Sequence, residues 1–525
     1  MVSGSGTSVD PYVLFSLNDL EQIAVLGLDK YYKLGSDIDV SLTSDPGYGD
    51  GNGWLPVGNF TGSFNGNNKK ITNLYINRPA TDNVGFFSIA DTSRITDITF
   101  EDVDITGRNY VGGCIGYQRS QQDYSRIHVT GFIHGVGNVG GVIGYLWRSN
   151  IYDCTFIGTI IATGNLVGGI NGFSDTYTAT VKKVSGCSVE GEITGINQVG
   201  GIIGAGVAKE VCDCYANAII NGNDYVGGLI GDNSRVLIYD NHFTGEVNGS
   251  GNGVGGMMGN ISHSGSVYEN IVENVMINGS GTSLGVGGMI GNAINYTSYS
   301  FMLYSNNVVD CVISGKDRVG GLIGEAGRCN CHYCYSIADV TGNDYVGGLI
   351  GLYSQGTNVS SVYECFAEGV VIGHDYVGGL FGNADIRNGT IIDCYANAII
   401  NGNRYVGGLI GYIRIITLTN CYSNGLVVGS TDVGGLCGYR YAGTGVSCYW
   451  DVETSKQGSS VLGISKTTSQ MKLIDTYVDW DFDSVWIINS GINNGYPILR
   501  KLYDYDLILD VGNIESTEMF GCDKV

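Results

Sequence analysis

Charge is scarce in this sequence: Asp, Glu, Lys and Arg make up 15% of its 525 residues, and proline occurs only 5 times. Glycine fills 85 positions but not every third one, and with so little proline that excludes a collagen helix and argues against a disordered Pro/Gly linker. Basic residues are the rarer sign, 27 against 50 acidic, and the net charge of −23 repels phosphate backbones and anionic headgroups. Neither nucleic acid nor a membrane surface is therefore an expected partner. No apolar run of about 18 residues occurs, and the opening Met1-Val2-Ser3-Gly4 has neither a basic nor an apolar stretch, so neither a membrane span nor a signal peptide is expected. Helical periodicity is missing from the body of the chain, and so is any helix to follow a phosphate-binding glycine loop.

What is present is repetition. Val-Gly-Gly begins at Val111, Val139, Val167, Val199, Val226, Val254, Val286, Val319, Val346, Val377, Val406 and Val433, at spacings of 27 to 33 residues. A degenerate copy, Val84-Gly85-Phe86-Phe87, precedes them. Most copies continue with two apolar residues and a glycine, and a second strand-like stretch follows, as in Cys394-Tyr395-Ala396-Asn397-Ala398-Ile399-Ile400. A unit of this length cannot bury a core alone, and it is too short for a four-stranded propeller blade of about 40 residues. The pattern predicts an all-β chain folded as a right-handed parallel β-helix, rising about 4.8 Å per coil. The repeated glycines suit either close backbone packing or corners with positive φ.

The ends differ. Ser16 before Leu17-Asn18-Asp19-Leu20-Glu21-Gln22-Ile23-Ala24 predicts a short N-terminal capping helix, which would cover the edge of the first coil. After Cys448 the repeat stops, and Trp450, Trp480, Phe482, Trp486 and Tyr496 predict an aromatic plug. The resulting division is 1–82 for the N-terminal cap and first coils, 83–447 for the repeats, and 448–525 for the C-terminal cap and tail.

The V-G-G-L-I-G copies, with second strands such as N-C-Y-S-N-G at Asn420 to Gly425, resemble GLUG-motif repeat proteins. The lead-in D-P-Y-V-L-F-S-L-N-D-L-E-Q-I and the exit C-Y-W-D-V-E-T-S-K-Q-G are similar to the usual entry and close of such repeats. The resemblance implies a β-helical surface or phage-associated protein, sometimes the stalk of a larger adhesin or protease, with no shared catalytic residues. No protease domain or sortase-type anchor is recognisable, which favours a virion component.

Candidate chemistry lies on columns that the repeat would stack. Cys187, Cys214, Cys334, Cys365, Cys394 and Cys421 lie 12 residues before a Val-Gly-Gly, Cys154 lies 13 before one, and His242 takes that place before Val254. One constant offset predicts an interior ladder of reduced thiols, because bridging neighbours would need disulfide geometry that in-register stacking disfavours. In Cys329-Asn330-Cys331-His332-Tyr333-Cys334 a ladder cysteine is already spoken for, leaving an incomplete zinc set. Asp317, Asp344 and Asp375 each lie two residues before a Val-Gly-Gly, with Arg404 next in line. Carboxylates stacked about 5 Å apart repel unless solvated or bridged, so this column is the candidate Ca²⁺ site, against the alternative of solvated Asx turns. The loop Asp45 to Gly53 is a second candidate.

No off-pattern gathering of Asp, Glu, His or Arg is legible, and the variable stretches follow Gly144, Gly172, Gly259, Gly291, Gly324 and Gly351. The expected role is therefore a non-enzymatic extracellular, cell-surface or virion binding shaft, adhesin-like or tail-fibre-like, that meets a host-surface glycan or protein through its loops and outer wall. A homo-oligomer or larger filament is left open, and a polysaccharide lyase or glycoside hydrolase is the alternative.

Overall fold

The computed structural model describes residues 2–175, 182–234, 236–263, 265–280, 284–294, 301–354 and 360–502. A representative coil holds four short strands, Val226–Gly227, Ile230–Asn233, Leu237–Tyr239 and His242–Gly249. Each pairs in parallel with its counterpart one coil on, with registers Val226↔Val254, Ile230↔Met258, Leu237↔Ser266 and His242↔Ile271. The Val-Gly strands of 12 coils follow one another in unbroken order, from Asn109–Gly112 to Thr431–Gly434, so the repeats form one parallel β-solenoid. The stacking starts at Tyr12–Leu14 and runs to Ile464–Lys466.

Glycine serves close approach in the Val-Gly-Gly units, not the left-handed corners. A Cβ on Gly227 would sit 2.1 Å from the Ile230 carbonyl oxygen and 2.7 Å from the Gly259 nitrogen, so two neighbouring strands meet backbone to backbone. The left-handed corners fall on other residues. The position before each valine has φ of 58° at Tyr225, 61° at Tyr345, 58° at Tyr376 and 55° at Tyr405. Inside, the valines and the aliphatic pair after the glycines form one continuous core, with Val226, Leu229 and Ile230 fully buried in this coil.

At the start, the Ser16 hydroxyl accepts from the Asp19 N–H and the Asp19 carboxylate accepts from the Phe15 N–H, which fixes the helix start as expected. The helix is two short turns, Leu17–Glu21 and Ile23–Leu26, and Leu20 and Ile23 enter the core.

The C-terminal aromatics depart from the expected plug. Trp450 and Leu462 belong to the main core, but Met471, Tyr477, Trp480, Trp486, Tyr496 and Leu499 pack on the outside, against Tyr335, Phe366, Tyr395, Tyr422 and Tyr449. The physical reason is register. These five rings pair in succession and face outward, with centroids 4.8 to 5.1 Å apart from Tyr335 to Tyr422, and the returning segment covers them. The strap reaches back to Lys501, which donates to the Tyr304 hydroxyl at 2.7 Å and lies 3.4 Å from the Tyr333 ring.

Candidate functional site on the outer columns

The 14 cysteines among the described residues are free and buried. Thr155, Ser188, Tyr215, His242, Ile271, Asn307 and Tyr335 pair in succession, so the residues before them stack as Cys154, Cys187, Cys214, Asn241, Asn270, Asn306 and Cys334. His242 is therefore not a ladder member. The stretch from His242 to Val254 is one residue longer than that from Tyr215 to Val226, so a fixed offset points one place too far. His242 faces outward, its Nε2 2.9 Å from Glu273 Oε1.

Asparagine replaces cysteine because it makes the same bonds. The Cys214 thiol donates to the Cys212 carbonyl at 3.2 Å, and Asn270 Nδ2 donates to the Tyr268 carbonyl at 2.9 Å. Asn270 Oδ1 accepts from the backbone and side-chain nitrogens of Asn241 at 3.1 and 2.9 Å, so the column is hydrogen-bonded along its length. A signal for it was present in the sequence: Tyr239-Asp240-Asn241, Tyr268-Glu269-Asn270 and Tyr363-Glu364-Cys365 share a pattern whose middle residue is left-handed. Burial pushes the Cys154, Cys187, Cys394 and Cys421 thiols well above their ordinary range, which keeps them inert. In the Cys329–His332 strand, Cys331 enters the core, while the His332 ring stacks on Tyr363 and its Nε2 lies 3.1 Å from Ser361 Oγ. The soft ligands thus sit on opposite faces of one strand.

Asp317, Asp344 and Asp375 stack in register, followed by Arg404. Asp317 Oδ1 accepts from the Asp344 N–H and Asp344 Oδ1 from the Asp375 N–H, both at 3.2 Å. Coils the sequence reading passed over do the same: Asn197 Oδ1 accepts from the Asp224 N–H at 3.1 Å, and Asp82 Oδ1 from the Asn109 N–H at 3.1 Å. Each side chain thereby supplies the acceptor for the amide above it, which explains an Asx residue here without a cation. Burial, then the neighbouring Asp317 and Asp375 carboxylates, push the Asp344 carboxyl above its ordinary range. His374 joins this pair, its Nδ1 3.2 Å from Asp375 Oδ1 and 3.8 Å from Asp344 Oδ1; Asp317 stays outside that group. In the loop Asp45 to Gly53, Arg78 takes Asp50 bidentately at 2.8 Å and holds its carboxyl down to about 2, while Asp45 accepts from the Gly47 N–H.

A third column was not singled out from sequence. The left-handed residue before the valine and the residue after the glycine that closes Val-Gly-Gly-x-x-Gly meet at one corner, as Tyr110 and Tyr117 or Tyr405 and Tyr412 do. At one end of the solenoid they are Tyr110, Tyr117, Tyr145 and Phe173, with centroids 4.6 to 5.6 Å apart. Near the other end Tyr345, Tyr376 and Tyr405 stack at 4.7 and 4.8 Å beside Tyr412 and Tyr439. Between them the second column runs Asp232, Asn260, Asn292, Glu325, Leu352, Asn383. Loss of ring bulk there leaves a depression of about 640 Å³ lined by Arg318, Glu325, Tyr345, Leu352, Asn383 and Asp385. Glu325 is ion-paired to Arg318 at 2.5 Å and Asp385 to Arg414 at 2.7 Å. This off-pattern gathering of charge is not legible in the sequence, because Glu325 and Asp385 belong to coils two apart. Of the variable stretches, those after Gly172, Gly259, Gly291 and Gly351 fall partly outside the described residues.

Residues 135–161 match the GLUG motif model. Halomucin of Haloquadratum walsbyi is 36% identical over 152 residues, 27% of this chain and 2% of that protein. A protein of Evansella cellulosilytica, provisionally named a Gly-rich membrane protein, is 35% identical over 91 residues, 16% of this chain and 10% of its own length. The immunoglobulin A1 protease of Streptococcus sanguinis is 27% identical over 161 residues, 28% of this chain and 8% of that protein. The chain thus spans a tenth or less of each relative. Residues 135–161 thus carry the GLUG motif, and the same Val-Gly-Gly coil recurs along the solenoid.

Proposed function

We propose that the protein is an exported surface element, an adhesin-like shaft that meets a glycan or protein of a host or neighbouring surface along its outer wall and carries out no chemistry of its own. The observation that carries this reading is the division of labour between columns. The valines, glycines, thiols and asparagines that recur are used up in closing each coil, while the outer columns change from coil to coil. A relative provisionally named a membrane protein favours a cell surface; the virion or tail-fibre role is the other setting for the same shaft. A second reading, a glycan-processing enzyme, draws on Glu325 and Asp385 in one depression, and a relative named a protease keeps catalysis in view. Incubating the intact protein with a glycan array and host cells, then analysing the supernatant for cleaved sugar, tests both: retention without product supports the shaft, and a defined product supports the enzyme.

We propose in addition that the column of Asp317, Asp344 and Asp375 binds Ca²⁺, chiefly through Asp344 and Asp375. A chelator should lower the melting temperature and Asp344→Asn should abolish that response; identical curves with and without chelator would return the column to its acceptor role alone.

A further inference from the structure

We propose that the depression between Arg318 and Asp385 binds a segment of a neutral polysaccharide, seated against the end of the tyrosine stack that begins at Tyr345. The inference rests on the binding-shaft reading above and names the ligand class of one site on it.

Four observations carry it. The first is the cost of placing tyrosine there. A left-handed backbone is cheapest for glycine, asparagine or aspartate, and the coil at Asn138 uses asparagine at φ 54°, yet Tyr345, Tyr376 and Tyr405 hold φ of 61°, 58° and 55°. Strain repeated over three coils buys a row of half-buried rings. The second is where the row ends. Tyr376 covers one face of Tyr345 at 4.7 Å and 19°, whereas the preceding coil carries Arg318 and no ring. The terminal ring therefore has a face without a ring neighbour, and Tyr345 is among the residues that line the depression. The flat C–H face of a sugar packs on such a ring.

The third observation is an unpartnered acceptor. Asn383 is only 9% exposed and lines the depression, and its Oδ1 has no hydrogen-bond partner in the protein. A buried amide oxygen left unpaired is costly, and a sugar hydroxyl is a donor of the right kind. The fourth is charge. Arg318 is taken by Glu325 and Arg414 by Asp385, so these guanidiniums are already matched, and a net charge of −23 disfavours acidic chains. The paired groups remain able to donate to and accept from neutral hydroxyls. Coils repeat at about 4.8 Å, comparable to the length of one sugar ring, so a linear chain can run along the corner.

The test is affinity gel electrophoresis of the intact protein through gels holding xylan, galactomannan, hydroxyethyl cellulose or dextran, with polygalacturonate as the acidic counterpart. Retardation by at least one neutral polymer is expected. Tyr345→Asn, which keeps a residue suited to the left-handed corner, and separately Asn383→Leu should each weaken it about tenfold. Circular dichroism melts verify that both variants are folded. No retardation by any neutral polymer, retardation by polygalacturonate alone, or full retention in both folded variants would overturn the proposal. In the first case, binding of the unaltered protein to host cells would leave the shaft reading standing with a protein partner; released sugar fragments would overturn the shaft reading and not the site.

Discussion

Asn171 is an exception in this interior. It occupies a column of aliphatic residues, in register with Ile143 on one side and Ile203 on the other, is fully buried, and neither atom of its amide has a partner. Burying an unpaired amide costs about 1–3 kcal/mol by mutational measures, so Asn171→Ile should stabilise the protein by about that amount, read as a rise in urea midpoint at constant slope. A fall in midpoint would mean that the amide has a role the packing does not reveal. The ladder thiols give a second prediction. Burial raises Cys154, Cys187, Cys394 and Cys421 above their ordinary value of 9.0. A thiol whose folded pKa is raised contributes fully below the unfolded value, and that contribution is lost as pH climbs past it, because the unfolded chain releases protons first. Stability should therefore be flat through neutral pH and fall above about 9. The native protein should also resist thiol reagents that label every cysteine once it is denatured. The cysteine offsets were readable in the sequence because most coils share one length; Asn241, Asn270 and Asn306 escaped because longer stretches before the next valine shift the count, and because asparagine does not look like cysteine until their shared bonds are seen.

The Val-Gly-Gly strands were legible because a glycine that recurs at fixed spacing has few explanations, and close backbone contact is the one realised. Gly227→Ala would drive a Cβ to 2.1 Å from the Ile230 carbonyl oxygen, whereas nothing lies within 4 Å of a Cβ at Gly458. The first substitution should cost about 3 kcal/mol or more and the second close to nothing, measured by the same urea titration. Equal effects would contradict the close-packing account. The C-terminal strap was not legible as a strap. Its tryptophans and tyrosines announce a second core, but sequence alone does not reveal that Tyr335, Phe366, Tyr395, Tyr422 and Tyr449 face outward together, since that depends on which side of a strand each coil turns. The aromatic corner was hidden for a related reason: its two columns sit on either side of a glycine turn, and only the fold brings Tyr376 within 5.7 Å of Tyr412.

Taken together, the coils make a scaffold whose inside is committed to its own closure and whose outside is free to vary. The described residues include no helix long and apolar enough to cross a membrane. The central claim is that this outer surface binds without reacting. The most direct measurement exposes the intact protein to an array of glycans and to host-cell surfaces, quantifies what is retained, and analyses the same supernatants by mass spectrometry for shortened sugars or cleaved peptide. The account predicts saturable retention with every offered chain recovered at its original mass; a product that accumulates with time and protein concentration would contradict it.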